Sequence, residues 1–102
     1  MIPKLTDEQL EEARQAAAAA RRQRAELKEK VRRGDLTFAT ALDQAVDDPI
    51  LSHIKVVDLL MSIHRIGEKK AADAMRRHGI APNRRCRGLG HRQLASLKDE
   101  FH

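Results

Sequence analysis

The chain contains no tryptophan, no tyrosine and only two phenylalanines, Phe38 and Phe101. Single-stranded nucleic acid is held largely by bases stacked on aromatic rings, so this composition disfavours that mode of recognition. Any nucleic acid bound here would be gripped by its phosphates. A single cysteine, Cys86, excludes an internal disulfide and leaves no companion thiol for a metal centre. No apolar run approaches the ~20 residues of a membrane span. Residues 5–10 do not resemble a signal peptide, because Thr6, Asp7, Glu8 and Gln9 interrupt them. On these grounds a cytosolic chain is expected.

What is abundant is positive charge. Lys and Arg number 20 against 15 Asp and Glu, giving +5 over 102 residues. A chain of this length makes one small domain, and the imbalance points to an anionic partner, of which nucleic acid is the commonest. The charge is also segregated. Residues 1–34 carry nine bases and six acids, and residues 61–102 carry ten and four. Between them, Asp35, Asp43, Asp47, Asp48 and Asp58 face a single base, Lys55, so a net −4 segment separates flanks of +3 and +6. The acidic side should turn away from a polyanion.

Helix signals dominate. Thr6 and Gln9 form a capping box, no Gly or Pro interrupts residues 7–33, and Gly34 stands where a left-handed C-terminal residue is expected. This predicts one helix of about 40 Å, anchored by Leu27 and Val31. Its first half offers only Leu10 and the alanines at 16–20, so its N-terminal turns project past the domain. Thr37 is an N-cap for a helix bearing Leu36, Phe38, Leu42 and Val46 at helical spacing. Asp48-Pro49 starts a short turn or helix. Ile54, Val57, Leu60 and Met61 read as the inward stripe of the next helix. Leu94, Leu97 and Phe101 give the last helix its apolar face. No alternating strand pattern occurs, so the fold class is all-α: a long N-terminal helix (1–34) folded together with a compact helical domain (35–102).

The stretch "IHRIGEKKAADAM", residues 63–75, carries the functional signal. A helix ends, the chain bends at Gly67, and a new helix starts at once, with Ala71, Ala72 and Met75 spaced to face inward. Gly67 is expected in a conformation closed to other residues. The new helix turns free amides and its positive dipole end outward, with Arg65, Lys69 and Lys70 around them. Such a site grips the sugar-phosphate backbone and reads little sequence. A tight helix–helix turn with solvated lysines is the plainer alternative. The position two residues before Gly67, a second glycine in the usual pattern of this helix-hairpin-helix motif, is Arg65. Further on, "RRHGIAPNRRCRGLGHRQLASLKDEF" supplies two turns between two helices, with Arg84, Arg85 and Arg87 between them. Arginine is the preferred phosphate partner through its planar fork. On the N-terminal helix Glu26–Lys30 and Glu29–Arg33 pair at i,i+4, whereas Arg21 and Arg24 have no acid three or four positions C-terminal and Arg22 has only Glu26, already matched to Lys30. These three arginines are secondary candidates for the same polyanion.

Residues 63–101 resemble the helix–two-turns–helix module of a small-subunit ribosomal protein and of some DNA repair glycosylases. Nearly the whole chain resembles the actinobacterial integration host factor family, through the capped "LTDEQ" start, "AAAAARRQRAELKEKVRRG", the acidic middle, "IAPNRRCRGLG" and the tail "RGLGHRQLASL". The resemblance implies a monomeric nucleoid-associated protein that binds and bends duplex DNA with little sequence preference, serving phage integration and chromosome compaction. It implies DNA contacts at Gly67, Lys69 and Lys70 and at Arg84, Arg85 and Arg87, with Gly88 and Gly90 shaping the arginine loop. Cys86 stands where that family pattern has an aliphatic residue.

Other chemistries fare worse. Five histidines are scattered, and Cys86 with His91 gives no metal-ligand spacing, so no metal or cofactor is expected. The glycosylases need a pocket for a flipped base and a positioned nucleophile or acid, and a chain this short has room for neither; no enzyme activity is expected. RNA or ribosome binding through the same module is the competing reading.

Overall fold

Thr6 opens the first helix, α1 (Asp7–Arg33), through a complete capping box: its hydroxyl accepts the Gln9 amide at 3.1 Å, and Gln9 Oε1 accepts the Thr6 amide at 2.9 Å. Gly34 ends the helix in the left-handed region at φ 80°, donating back to the carbonyls of Lys30 and Val31. The computed structural model describes residues 4–102, so the first three residues of the segment expected at 1–34 lie outside the described residues. Only Leu27 and Val31 of α1 are buried, each contributing about 1.5–3 kcal/mol by leaving water. Residues 7–17 are exposed throughout. The molecule is accordingly elongated, 48 × 31 × 23 Å, with a radius of gyration of 15.8 Å, above the ~13 Å of a compact chain of this length.

Four more helices follow: α2 (Phe38–Asp47), α3 (Val56–Met61), α4 (Glu68–Arg77) and α5 (His91–Glu100). Short 3₁₀ turns lie at Leu51–His53 and Cys86–Gly88, and the described residues contain no strand. Thr37 caps α2 by accepting the Thr40 amide. Asp48 Oδ1 accepts the amides of Ile50 and Leu51, both at 2.8 Å, and so starts the first 3₁₀ turn. Leu42, Leu59, Leu60, Met75 and Leu97 meet in the core with less than 2 % of their surface exposed. Phe101 closes it edge-on against Phe38, with ring centroids 5.8 Å apart.

Two inward stripes differ from expectation. In α3 the buried residues are Val56, Leu59 and Leu60, whereas Val57 is half-buried and Met61 is 39 % exposed. Ile54 is buried, yet it lies in extended backbone before the helix. Helical periodicity begins only at Val56, so the buried stripe is rotated from one that starts at Ile54. In α4 the buried set is Ala71, Ala74 and Met75, and Ala72 is exposed.

Helices α4 and α5 are tied by Glu100. Its carboxylate accepts both terminal nitrogens of Arg77, at 2.6 and 2.8 Å, and the Nε2–H of His78 at 2.6 Å, while His78 Nδ1 meets Ser96 Oγ at 2.9 Å. The bonds from Arg77 first, and His78 second, hold the Glu100 carboxyl down to about 2. A carboxylate depressed in the folded state stabilises it fully above the unfolded value, near 4.3, and that contribution is lost as pH falls through the folded one. Glu100→Gln is expected to melt below the wild type at neutral pH. In melts recorded from pH 7 to 2, the gap should begin closing below about pH 4.5 and vanish near the bottom of that range.

Candidate nucleic-acid interface

The hairpin between α3 and α4 reverses at a residue the sequence did not single out for strain. The Ile66 amide donates to the Ile63 carbonyl at 3.0 Å, and inside that turn Arg65 carries φ 72°. Gly67 is extended, at φ −89° and ψ −176°, so the expectation of a special backbone at Gly67 is corrected. The left-handed residue occupies the position of the motif's usual second glycine, because that is where the chain doubles back. A Cβ built on Gly67 meets nothing within 4 Å; the missing side chain simply leaves the mouth of α4 uncovered. No side chain caps that helix, and Lys69 and Lys70 are exposed on its first turn.

A left-handed non-glycine residue costs roughly 1–2 kcal/mol, partly offset because glycine loses about 0.5–1 kcal/mol more in chain entropy on folding. Arg65→Gly is therefore expected to stabilise the fold, by up to about 1 kcal/mol. Arg65→Lys should leave the melting temperature unchanged. Paired thermal melts test this, and a destabilised glycine variant would remove strain from the account.

The arginine loop is held by main chain. The Val56 amide donates to the Arg84 carbonyl at 3.0 Å and the Cys86 amide to the Ile54 carbonyl at 2.9 Å, an isolated antiparallel bridge pairing Lys55 with Arg85. Cys86 is buried beneath, and desolvation pushes its thiol up to about 12, which makes it packing and not a nucleophile. The three arginines differ. Arg84 is half-buried and donates Nη1–H to the Gly88 carbonyl at 2.6 Å. Arg85 donates Nη1–H to the carbonyl of His53. Arg87 is exposed and its side chain bonds to none of the described residues. One carbonyl uses one of five guanidinium donors, so Arg84 and Arg85 are oriented without being consumed.

Gly88 lets Arg84 lie across it, since a Cβ there would come within 2.8 Å of the Arg84 Cδ. Gly90 precedes α5, where Gln93 Oε1 accepts its amide at 3.0 Å and Gln93 Nε2–H reaches the Gly79 carbonyl at 2.9 Å.

These groups surround separate open concavities. Asn83, Arg84, Arg85, Arg87 and Gly88 line one of about 330 Å³. Another, of about 430 Å³, brings His64, Arg65 and Gly67 together with Arg32 of α1. Lys70 lines a third groove, with Asp73, Arg77 and Glu100. The arginine loop meets the chain at the start of α3 and the hairpin follows its end, so about 9 Å of helix separates them.

Residues 31–101 match the family model described as an S13-like H2TH domain. The integration host factor of Mycobacterium tuberculosis is 45% identical over 100 residues, covering 98% of this chain and 95% of that protein. That of Streptomyces coelicolor is 40% identical over 100 residues, covering 98% and 94%. The chain belongs to the integration host factor family. A solved structure described as sIHF bound to an 8bp palindromic DNA is similar over 86% of this chain and 99% of its own, with a TM-score of 0.82 and 39% identity.

Two candidate sites of this chain are thus built on the module, and α1 adds a third face. Arg21 and Arg22 are exposed and Arg24 is half-buried. Arg21, Arg24 and Lys28 follow one face at i, i+3 and i+7, whereas Arg22 lies about 100° further round. Arg24 and Lys28 join His53, Lys55, Asp58 and Arg85 around a cleft of about 160 Å³. The concavities also bring in Lys28, Lys55 and Arg32, which the sequence did not single out; the helical face shared by Arg24 and Lys28 was the one signal there to be read. Glu29 takes both Arg32 and Arg33, each at 3.2 Å, and no Glu26–Lys30 pair forms among the described residues. Among those residues no cluster of His, Cys, Asp and Glu could hold a metal ion, and no helix is long and apolar enough to cross a membrane.

Proposed function

We propose that this protein is an architectural protein that binds double-stranded DNA through its phosphates, largely without sequence preference. The observation that carries the reading is the arginine loop: three guanidinium groups on a main-chain-fixed turn, two oriented by carbonyls and one free. The uncapped mouth of α4, with Arg65, Lys69 and Lys70, supplies a second contact about 9 Å along α3. That spacing is on the order of three base-pair steps. Arg21 and Arg24 of α1 extend the basic surface. Contacts spread over separate elements favour a bent duplex, whose deformation costs on the order of 1–6 kcal/mol for a short site. The protein acts as a monomer in the nucleoid, without cofactor or catalysis, in chromosome compaction and site-specific recombination such as phage integration.

The likeness of residues 31–101 to an S13-like domain gives RNA the second claim. A labelled DNA duplex competed by RNA duplex of equal length separates the two. DNA should hold the protein, with log affinity falling against log salt at a slope of about −4 to −5 for four to six neutralised phosphates. Displacement by RNA at equal concentration would transfer the function to an RNA or ribosomal partner, and absence of salt-dependent binding to either would end both readings.

A further inference from the structure

The cleft between α1 and the arginine loop has a composition that the two turns of the module do not explain. Four cations border it, from three parts of the chain: Arg24 and Lys28 of α1, Lys55 ahead of α3, and Arg85 of the loop. A single carboxylate, Asp58, shares the lining, and none of the four cations makes an ion pair among the described residues. The placement is fixed. Lys55 and Arg85 face each other in the backbone bridge, Arg85 is held to the His53 carbonyl, and α1 is anchored one residue away by buried Leu27. Like charges gathered by a rigid scaffold repel one another until an anion enters. At about 160 Å³ the cleft holds the volume of about five waters, at ~30 Å³ each, enough for one phosphate group.

We infer that Arg24, Lys28, Lys55 and Arg85 bind a phosphodiester of the same duplex that the arginine loop holds, and so seat α1 on the DNA. This rests on the DNA-binding reading above and adds Lys28 and Lys55 to it. Continuity argues for the duplex over a free anion. Arg85 lines both this cleft and the concavity of Arg84, Arg87 and Gly88, so a strand leaving one enters the other. The exposed turns of α1 then continue the track through Arg21.

The test is a salt series of duplex titrations. Lys28→Gln/Lys55→Gln should flatten the log–log slope by up to about 0.9, the weight of one phosphate contact, and lower affinity roughly 10-fold near 0.1 M salt, with an unchanged circular dichroism spectrum. Lys30→Gln/Lys98→Gln removes the same charge elsewhere and should keep the wild-type slope. Replacing chloride by inorganic phosphate at constant ionic strength should leave wild-type affinity unaltered. A wild-type slope in Lys28→Gln/Lys55→Gln, alongside a flattened one on alanine substitution of Arg84, Arg85 and Arg87, would overturn the cleft and leave duplex binding standing. Equal losses in the two lysine pairs would reduce it to net charge. Inorganic phosphate that weakens the wild type but not the cleft variant would make it a free-anion site. Wild-type protein that ignores duplex DNA would take the functional reading down with it.

Discussion

Alanine at Arg84, Arg85 and Arg87 together is expected to cost roughly 100-fold in duplex affinity at moderate salt and to flatten the log–log salt slope by nearly 3, at ~0.9 per lost phosphate contact. The loss should be the same on unrelated sequences, because phosphate contacts carry register and not base identity. The three positions should not contribute alike. Arg87 bonds to none of the described residues, so Arg87→Ala should remove about one unit of slope with no change in melting temperature. Arg84→Ala and Arg85→Ala also break hydrogen bonds to the carbonyls of Gly88 and His53, each worth on the order of 1 kcal/mol. A triple lysine variant keeps the charge but loses the fork, and should fall between alanine and wild type. A folded triple alanine variant with undiminished affinity would remove the loop from the mechanism.

The largest stability effect is expected at Leu59. It is fully buried in α3, the short helix that spans the interval between loop and hairpin, and truncation of a buried leucine to alanine costs about 3 kcal/mol. Set against the 5–15 kcal/mol typical of a small domain, that is a serious fraction. It should lower the melting temperature by roughly 12–24 °C, at about 4–8 °C per kcal/mol. Met61 is the counterpart. The sequence stripe counts it as inward, but it is 39 % exposed, and Met61→Ala should stay within about 0.5 kcal/mol of wild type. Melts of the two variants decide the register of α3: similar losses would restore the stripe read from sequence.

Only some of the physical signals in this chain are local enough to read. Caps are local, and Thr6 with Gln9, Gly34, Thr37 and Asp48 all behave as their neighbours dictate. The bounds of α1 and α2 and the first 3₁₀ turn follow from them. The start of α3 is not local. Ile54 and Val56 are held by partners about thirty residues away, a pairing with no trace in a window of eleven, so the apolar spacing was counted from the wrong origin. Arg65 is harder still, since nothing in an arginine announces a positive φ. For the candidate interface, the basic turns could be read from glycine and arginine placement. The division of the three arginines into two oriented and one free could not, because it depends on carbonyls of Gly88 and His53. The approach of Lys28 to Lys55 likewise exists only once α1 is laid down on Leu27 and Val31.

The two amides that fasten residues 84–86 to residues 54–56 belong to peptide groups, which every non-proline amino acid supplies in the same form. Position and chemistry are thereby uncoupled at this turn: what the side chains of 85 and 87 say to a ligand can be rewritten while where they say it stays put. A protein engineer seeking base discrimination could exchange those letters, asparagine or glutamine for arginine, and keep the bracket on which they are mounted.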